Sequence, residues 1–299
     1  MPSWQSYLVH PFLRFYVKRR LARAASAGAA RALLGHSLPA LPGARFTPDN
    51  LGGLPGEWIS GPQPPEATLL YLHGGGYFTC SALTHRAITS AFAIRGFSVY
   101  APDYRLAPEH VFPAAVDDAL AVYRILIAQG RPEQLIIAGD SAGGGLALAT
   151  LLAAKAENLP MPSCIILFSP WTDLACTGAS LVTNAARESM LYAPRINEAA
   201  ENYLAGADPH TPLASPLYGD LAGLPPMLIQ VSDREILLDD STRLATNTRA
   251  AGGEATLNIW PNLPHVWQVS QILLPEARKA LDEAATFAKS ALASKALPA

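Results

Sequence analysis

From about residue 67 onward, short apolar runs rich in β-branched residues alternate with longer stretches of helical periodicity. Residues 68–72, 97–101, 135–139, 164–168, 227–231 and 256–260 read as buried strands. Residues 83–95, 114–129, 142–156, 241–251 and 275–291 read as helices. Strands that are apolar throughout need cover on both faces, and a strand–helix–strand order supplies it. The fold class that follows is α/β, a mostly parallel central sheet flanked by helices. In such sheets the working groups sit in loops at the carboxyl ends of strands.

Two regions break the alternation. The first 45 or so residues are helical in pattern and precede any strand, and residues 178–215 interrupt the fourth and fifth strand patterns with helices of their own. A long interruption of this kind is more often a cap than a slack loop. The expected division is therefore 1–45 as amino-terminal cap helices, 178–215 as a cap insertion, and 46–177 with 216–299 as the α/β body. Near the amino end, Leu8, Phe12, Phe15, Tyr16 and Leu21 interleave with Arg14, Lys18, Arg19, Arg20 and Arg23. That is an amphipathic helix, expected as an arm packed on the body, with attachment to anionic lipid as the alternative.

Composition removes several other classes. Half the residues are hydrophobic and 15% are charged, the opposite of a disordered chain. A net charge of −2 argues against non-specific nucleic-acid binding. The longest charge-free stretch, 255–275, is broken by Pro261 and Pro264 and is no spanning helix, and no secretory signal is expected. Cys80, Cys164 and Cys176 form no CxxC pair, so neither a disulfide framework nor a zinc knuckle is indicated. A reducing, cytoplasmic setting fits them best.

The strand pattern ending at 139 runs into Gly139-Asp140-Ser141-Ala142-Gly143 and then a helix of small residues. A serine at a sharp strand-to-helix turn holds its Oγ clear of the sheet, and its neighbours must be tiny for the chain to close. A phosphate-binding turn is the competing reading, but no GK[ST] follows. Ser141 is the candidate nucleophile. After the 68–72 strand come His73-Gly74-Gly75-Gly76-Tyr77. Glycine runs let backbone N–H groups converge on a cavity, as an acyl-transfer oxyanion requires. The inferred donors are the amides of Gly75, Gly76 and Ala142, with His73 fixing the loop.

Among hydrolases of this architecture the order is serine, acid, histidine, so of seven histidines only His210 and His265 lie downstream of Ser141. His265 follows the strand ending at Trp260 and is the expected base; His210 lies outside the alternation, and His85 and His110 read as surface or packing residues. The strand ending at Val231 offers Asp233, Glu235, Asp239 and Asp240. The last two look like helix-start residues. Local physics leaves Asp233 and Glu235 open as the carboxylate that orients the imidazole.

Taken together, HGGGY at 73–77, Asp103-Tyr-Arg-Leu-Ala-Pro-Glu-His110, Phe112-Pro-Ala-Ala-Val-Asp-Asp118, GDSAGGG at 139–145 and Ser169-Pro-Trp-Thr-Asp-Leu174 resemble the bacterial hormone-sensitive-lipase-like esterases. The resemblance spans roughly residues 65–290 and implies an α/β-hydrolase fold with a helical cap. In that family the acid opens a D-x-L-x-D pattern about 30 residues before the histidine. Glu235-Ile-Leu-Leu-Asp239 matches it with Glu in first place, which favours Glu235 over Asp233. The resemblance further implies a serine carboxylesterase acting on short acyl esters, without metal or cofactor. It also implies that Arg105, Glu109, Asp117 and Asp118 brace the glycine loop. Met190, Leu191, Tyr192, Tyr203 and Leu204 are candidates to line an acyl pocket. A lactone, amide or carbamate substrate is an alternative, as is a non-catalytic receptor like the plant gibberellin receptors. Relatives often pair through their last strand and helix, so a homodimer is a further expectation.

Overall fold

The computed structural model describes residues 2–24 and 26–296; expectations for residues 1, 25 and 297–299 lie outside the described residues. Eight strands form one sheet: β1 (Arg45–Leu51), β2 (Leu54–Ser60), β3 (Ala67–Leu72), β4 (Phe97–Pro102), β5 (Leu135–Asp140), β6 (Cys164–Phe168), β7 (Met227–Ser232) and β8 (Ala255–Trp260). Their spatial order is β1-β2-β4-β3-β5-β6-β7-β8. Strands β3 to β8 are mutually parallel, and β2 runs antiparallel to both its neighbours.

The six parallel strands coincide with the six apolar runs. The hairpin β1–β2 carries no such run, and the cause is visible in its composition. Pro48 and Pro55 lack the N–H that a ladder needs, and β1 is exposed along most of its length, so no apolar run marks it. Both prolines are tolerated where they stand. Pro48 is in the edge strand, and β2 pairs with β4 only from Gly56 onward, past Pro55. The turn is Gly52-Gly53, both at positive φ (65° and 86°), which fits a two-residue hairpin.

Helices α1 (Trp4–Leu13), a π-helical turn (Arg14–Lys18), α2 (Arg19–Arg23) and α3 (Ala27–Leu34) precede the sheet. Residues 35–44 are not helical, so the helical expectation for the first 45 residues holds only as far as Leu34. Next come α4 (Arg86–Ile94), α5 (Ala114–Gln129) and α6 (Ala142–Ala156). The 178–215 interruption carries α7 (Ser180–Thr183) and α8 (Ala193–Leu204), and α9 (Leu238–Ala250) and α10 (Pro275–Ala296) complete the chain.

Because side chains alternate along a strand, each strand feeds both faces of the sheet. Leu70, Leu72, Ile137, Ile165 and Leu167 pack under α5, α6 and α9. Leu69, Tyr71, Ile136, Ile166 and Phe168 pack the other way, against Phe92 of α4 and Leu281 of α10. All ten strand residues are fully buried, so truncating one such leucine to alanine costs about 2–5 kcal/mol. This two-sided core holds the carboxyl ends of β3, β5, β6, β7 and β8 at one rim of the sheet. The amino-terminal helices and the 178–215 segment touch each other near that rim: Lys18 Nζ donates to Glu188 O (2.8 Å) and Arg195 Nη2 to Ala24 O (2.8 Å).

Candidate active site

Ser141 occupies the one-residue turn between β5 and α6 with φ 52° and ψ −125°, a conformation that L residues rarely adopt. Backbone hydrogen bonds over-determine it. Ser141 N donates to Phe168 O (2.9 Å), while Trp171 N and Gly144 N donate to Ser141 O (2.8 and 3.0 Å). The flanking glycines are demanded by space. A Cβ on Gly139 would stand 2.3 Å from Gly143 O, and one on Gly143 would stand 2.1 Å from Leu72 O.

His265 follows β8 and is buried, with Nε2 2.9 Å from Ser141 Oγ and Nδ1 2.6 Å from Glu235 Oε2. Glu235 is itself fully buried, and its second oxygen accepts from Ser169 Oγ (2.8 Å) and Ser232 N (2.7 Å). Of the two carboxylates left open by local sequence, Glu235 faces the imidazole. Asp233 turns outward, accepting from Asn262 N (2.9 Å) and pairing with Arg187 (3.1 Å). Burial pushes the His265 pKa down, but the hydrogen bond and charge of Glu235 outweigh it and hold the pKa above the ordinary histidine value. Chemically, the arrangement lets a neutral imidazole accept the serine proton and keeps the resulting cation beside a carboxylate.

The glycine loop follows β3 directly. Gly75 and Gly76 have φ of 117° and 62° and line the same cavity as Ser141 and His265, while Ala142 opens α6 immediately after the serine. His73 is buried away from the reacting groups. Its Nδ1 lies 2.7 Å from Gly74 O, its ring stacks on Tyr104 at 4.3 Å, and Tyr104 Oη donates to His73 O (2.6 Å). Burial, reinforced by the charge of His85, lowers the His73 pKa to about 3, so it is a neutral brace.

The segment following β4 buttresses this loop. Asp103 accepts from Ala82 N (2.7 Å), Ala107 N donates to Tyr77 O (2.8 Å), and Arg105 pairs with Asp118 (2.7 Å). Glu109 pairs instead with Arg31 of α3, whose guanidinium also donates to Phe78 O (2.7 Å) and Ala107 O (2.8 Å). Asp117 stands in the first turn of α5.

Two groups escaped sequence reasoning. Asp140, the variable residue of the G-x-S-x-G turn, is buried and accepts from Tyr71 Oη (2.7 Å) and Gly74 N (3.1 Å), with His85 Nε2 at 3.3 Å. It ties the Ser141 turn to the glycine loop, and it makes His85 a buried hydrogen-bond partner. Its adjacency to Ser141 was the only available signal. Glu188 is buried in the 178–215 interruption and accepts from Met190 N (2.7 Å), Leu191 N (3.2 Å) and Ile236 N (3.4 Å). Burial raises its pKa. Nothing in its local sequence marks it.

The cavity above Ser141 has a volume of about 500 Å³. Leu21, Ala27 and Leu34 wall it from the amino-terminal helices, and Met190, Leu191 and Tyr192 from the interruption. Tyr203 and Leu204, also candidates for that wall, are instead buried in the packing beneath it. Tyr203 stacks on Tyr77 with ring centroids 3.9 Å apart. His210 lies outside the site, exposed and paired with Asp208 (3.2 Å). Among the described residues, no cluster of His, Cys, Asp and Glu is arranged to hold a metal ion.

Comparison with known proteins shows the family. A family model for the α/β-hydrolase fold matches residues 69–269. An acetyl-hydrolase of Streptomyces hygroscopicus is 46% identical over 243 residues, 81% of each chain, and an esterase of Acinetobacter venetianus is 38% identical over 255 residues, 84% of each. The crystal structure of EstE5 soaked with p-nitrophenyl butyrate superposes with a TM-score of 0.93 at 38% identity, covering 97% of this chain and 99% of that one. That of an esterase from the bacterial hormone-sensitive lipase family superposes at 0.90 with 40% identity, covering 98% and 99%. The chain therefore belongs to the α/β-hydrolase family, within its bacterial hormone-sensitive-lipase-like group, and is a carboxylic ester hydrolase.

Proposed function

We propose that the chain is a serine carboxylesterase that hydrolyses short-chain acyl esters by two-step acyl transfer. The observation that carries the reading is the hydrogen-bonded relay Ser141 Oγ–His265–Glu235, with links of 2.9 and 2.6 Å at three strand ends. His265 takes the Ser141 proton, the serine oxygen attacks the ester carbonyl, and the oxyanion is held by the amides of Gly75, Gly76 and Ala142. Each such donor is worth about 3–4 kcal/mol in the transition state. The protonated His265 then delivers its proton to the leaving alcohol. Water, deprotonated by the same imidazole, attacks the acyl-enzyme and releases the acid.

Residues 1–45 and 178–215 act in this reading as a cap that encloses the acyl group. The apolar lining of the cavity and similarity to proteins named acetyl-hydrolase and ethyl acetate hydrolase support short acyl chains. A homodimer joined along β8, a sheet edge, and a cytoplasmic setting suited to three free thiols complete the reading.

Ser141→Ala is expected to lower turnover of p-nitrophenyl acetate by at least about 10⁴-fold, and a fluorophosphonate is expected to label the peptide containing Ser141. Appreciable turnover by the variant, or label on another residue, would overturn the assignment. An ester series from acetyl to palmitoyl should peak at the short end; a maximum at palmitoyl would refute the small-acyl preference.

A further inference from the structure

The amino-terminal helix packs with its polar side inward. Ser6 and His10 are buried; His10 meets Ser189 Oγ (2.9 Å) and Asn262 O (3.1 Å) through its two ring nitrogens. Ser3 Oγ donates to Glu276 (2.9 Å), Arg14 to Ala186 O (2.9 Å) and Lys18 to Glu188 O (2.8 Å). These positions recur every three or four residues, so they form one stripe. The rest of its surface carries Trp4, Leu8, Phe12, Phe15 and Tyr16, with Tyr7 at the border of the stripe, all between 46% and 69% exposed. An arm that hides its polar stripe and presents six large apolar side chains is inverted relative to an ordinary surface helix.

Charge says what covers that face. Arg19 and Arg20 continue the face, with their guanidinium carbons 4.9 and 5.8 Å from the Phe15 and Tyr16 ring centres, and Arg23 is exposed one turn on. The first acidic residue of the whole chain is Asp49. Aromatic rings beside arginines, with no carboxylate nearby in sequence, match the headgroup region of an anionic bilayer. Among the described residues no helix is long and apolar enough to cross a membrane, so attachment is peripheral. We infer that the α1–α2 arm docks the protein on an anionic lipid bilayer through its aromatic and arginine face. The arm runs on into Leu21 and Ala24, which line the cavity, so docking brings the cavity mouth to the lipid surface.

Flotation of the full chain with vesicles tests this. Vesicles of equal phosphatidylcholine and phosphatidylglycerol should carry the protein up at low salt, whereas pure phosphatidylcholine should not. Arg19→Gln with Arg20→Gln should weaken partitioning on the order of 30-fold, and Trp4→Ser with Phe12→Ser and Phe15→Ser should abolish it. Both variants should retain p-nitrophenyl acetate turnover, which certifies their folding. Ser141→Ala should float like the parent protein, which separates this inference from the catalytic one. A chain that never floats, or variants that float equally well, would overturn it. So would a dimer in sedimentation velocity that dissociates on the aromatic substitutions while vesicles go unbound, because the face would then belong to a second copy.

Discussion

Asp233 and Glu235 differ by one methylene and stand two positions apart, yet only one reaches the imidazole. Asp233 N still bonds Trp260 O, prolonging the β7–β8 ladder, so its carboxylate caps the loop after β8. Glu235 N turns back to Ser232 O, which drives the longer side chain beneath the sheet rim toward Ser169. This turn is a tertiary outcome, which is why local sequence could not separate the two and only the family pattern favoured Glu235. Ser141 and His265 were legible because each stands next to a strand end with distinctive neighbours. Glu235→Gln should cost on the order of 10³–10⁴-fold in kcat, and Asp233→Asn less than about tenfold. On the proposed mechanism neutral His265 is the base, so kcat/KM should rise with pH through a limb above the ordinary histidine value. In Glu235→Gln the hydrogen bond and charge that most raise the His265 pKa are gone, so that limb should move to lower pH. Initial rates from pH 5 to 9 check both statements.

Among the elements, the parallel strands announced themselves through apolar runs, and the antiparallel hairpin hid because two prolines and an exposed edge remove that signature. Helix α3 was expected only as part of a helical leader. It is anchored at long range by Arg31, which holds the carbonyls of Phe78, just after the glycine loop, and Ala107, in the segment after β4, as well as Glu109. Arg31→Ala should lower stability by about 1–2 kcal/mol and raise KM more than it lowers kcat, because it loosens a cavity wall and leaves the proton relay intact. Arg31→Lys should restore little, since an ammonium cannot reproduce the planar fork. Steady-state kinetics beside denaturant unfolding would read both effects.

Across the whole molecule, stability is linked to pH through the buried neutral His73. Its folded pKa of about 3 lies below the unfolded value of 6.5, so the stability it contributes is complete above pH 6.5 and is lost as pH falls toward 3. Between pH 7.5 and 5.5 this amounts to about 1.4 kcal/mol. The neighbouring His85, raised by Asp140 against the effect of burial, acts in the opposite sense. Replacing His73 by Asn should therefore remove about 1.4 kcal/mol of acid sensitivity in guanidinium unfolding at those two pH values, whatever it does to stability at neutral pH. The 178–215 segment, by contrast, was expected as a cap insertion, but its contacts with the body were not legible. Which of its residues reach the body depends on packing across more than forty positions of chain, as the Asn184–Glu235 bond does.

That bond has a kinetic meaning. Asn184 donates to Glu235 O (2.9 Å) and Ser180 to Ile236 O (2.7 Å), while Glu188 accepts from Ile236 N. This part of the 178–215 segment is riveted to the peptide that carries Glu235, and on the proposed mechanism swinging it outward would dismantle the relay with every turnover. In that reading the traffic of ester and alcohol would pass on the side of α2 and α3, where, among the described residues, Arg31 ties α3 to the body and Arg195 ties the end of α2 to the 178–215 segment. The enzyme would breathe on one side only.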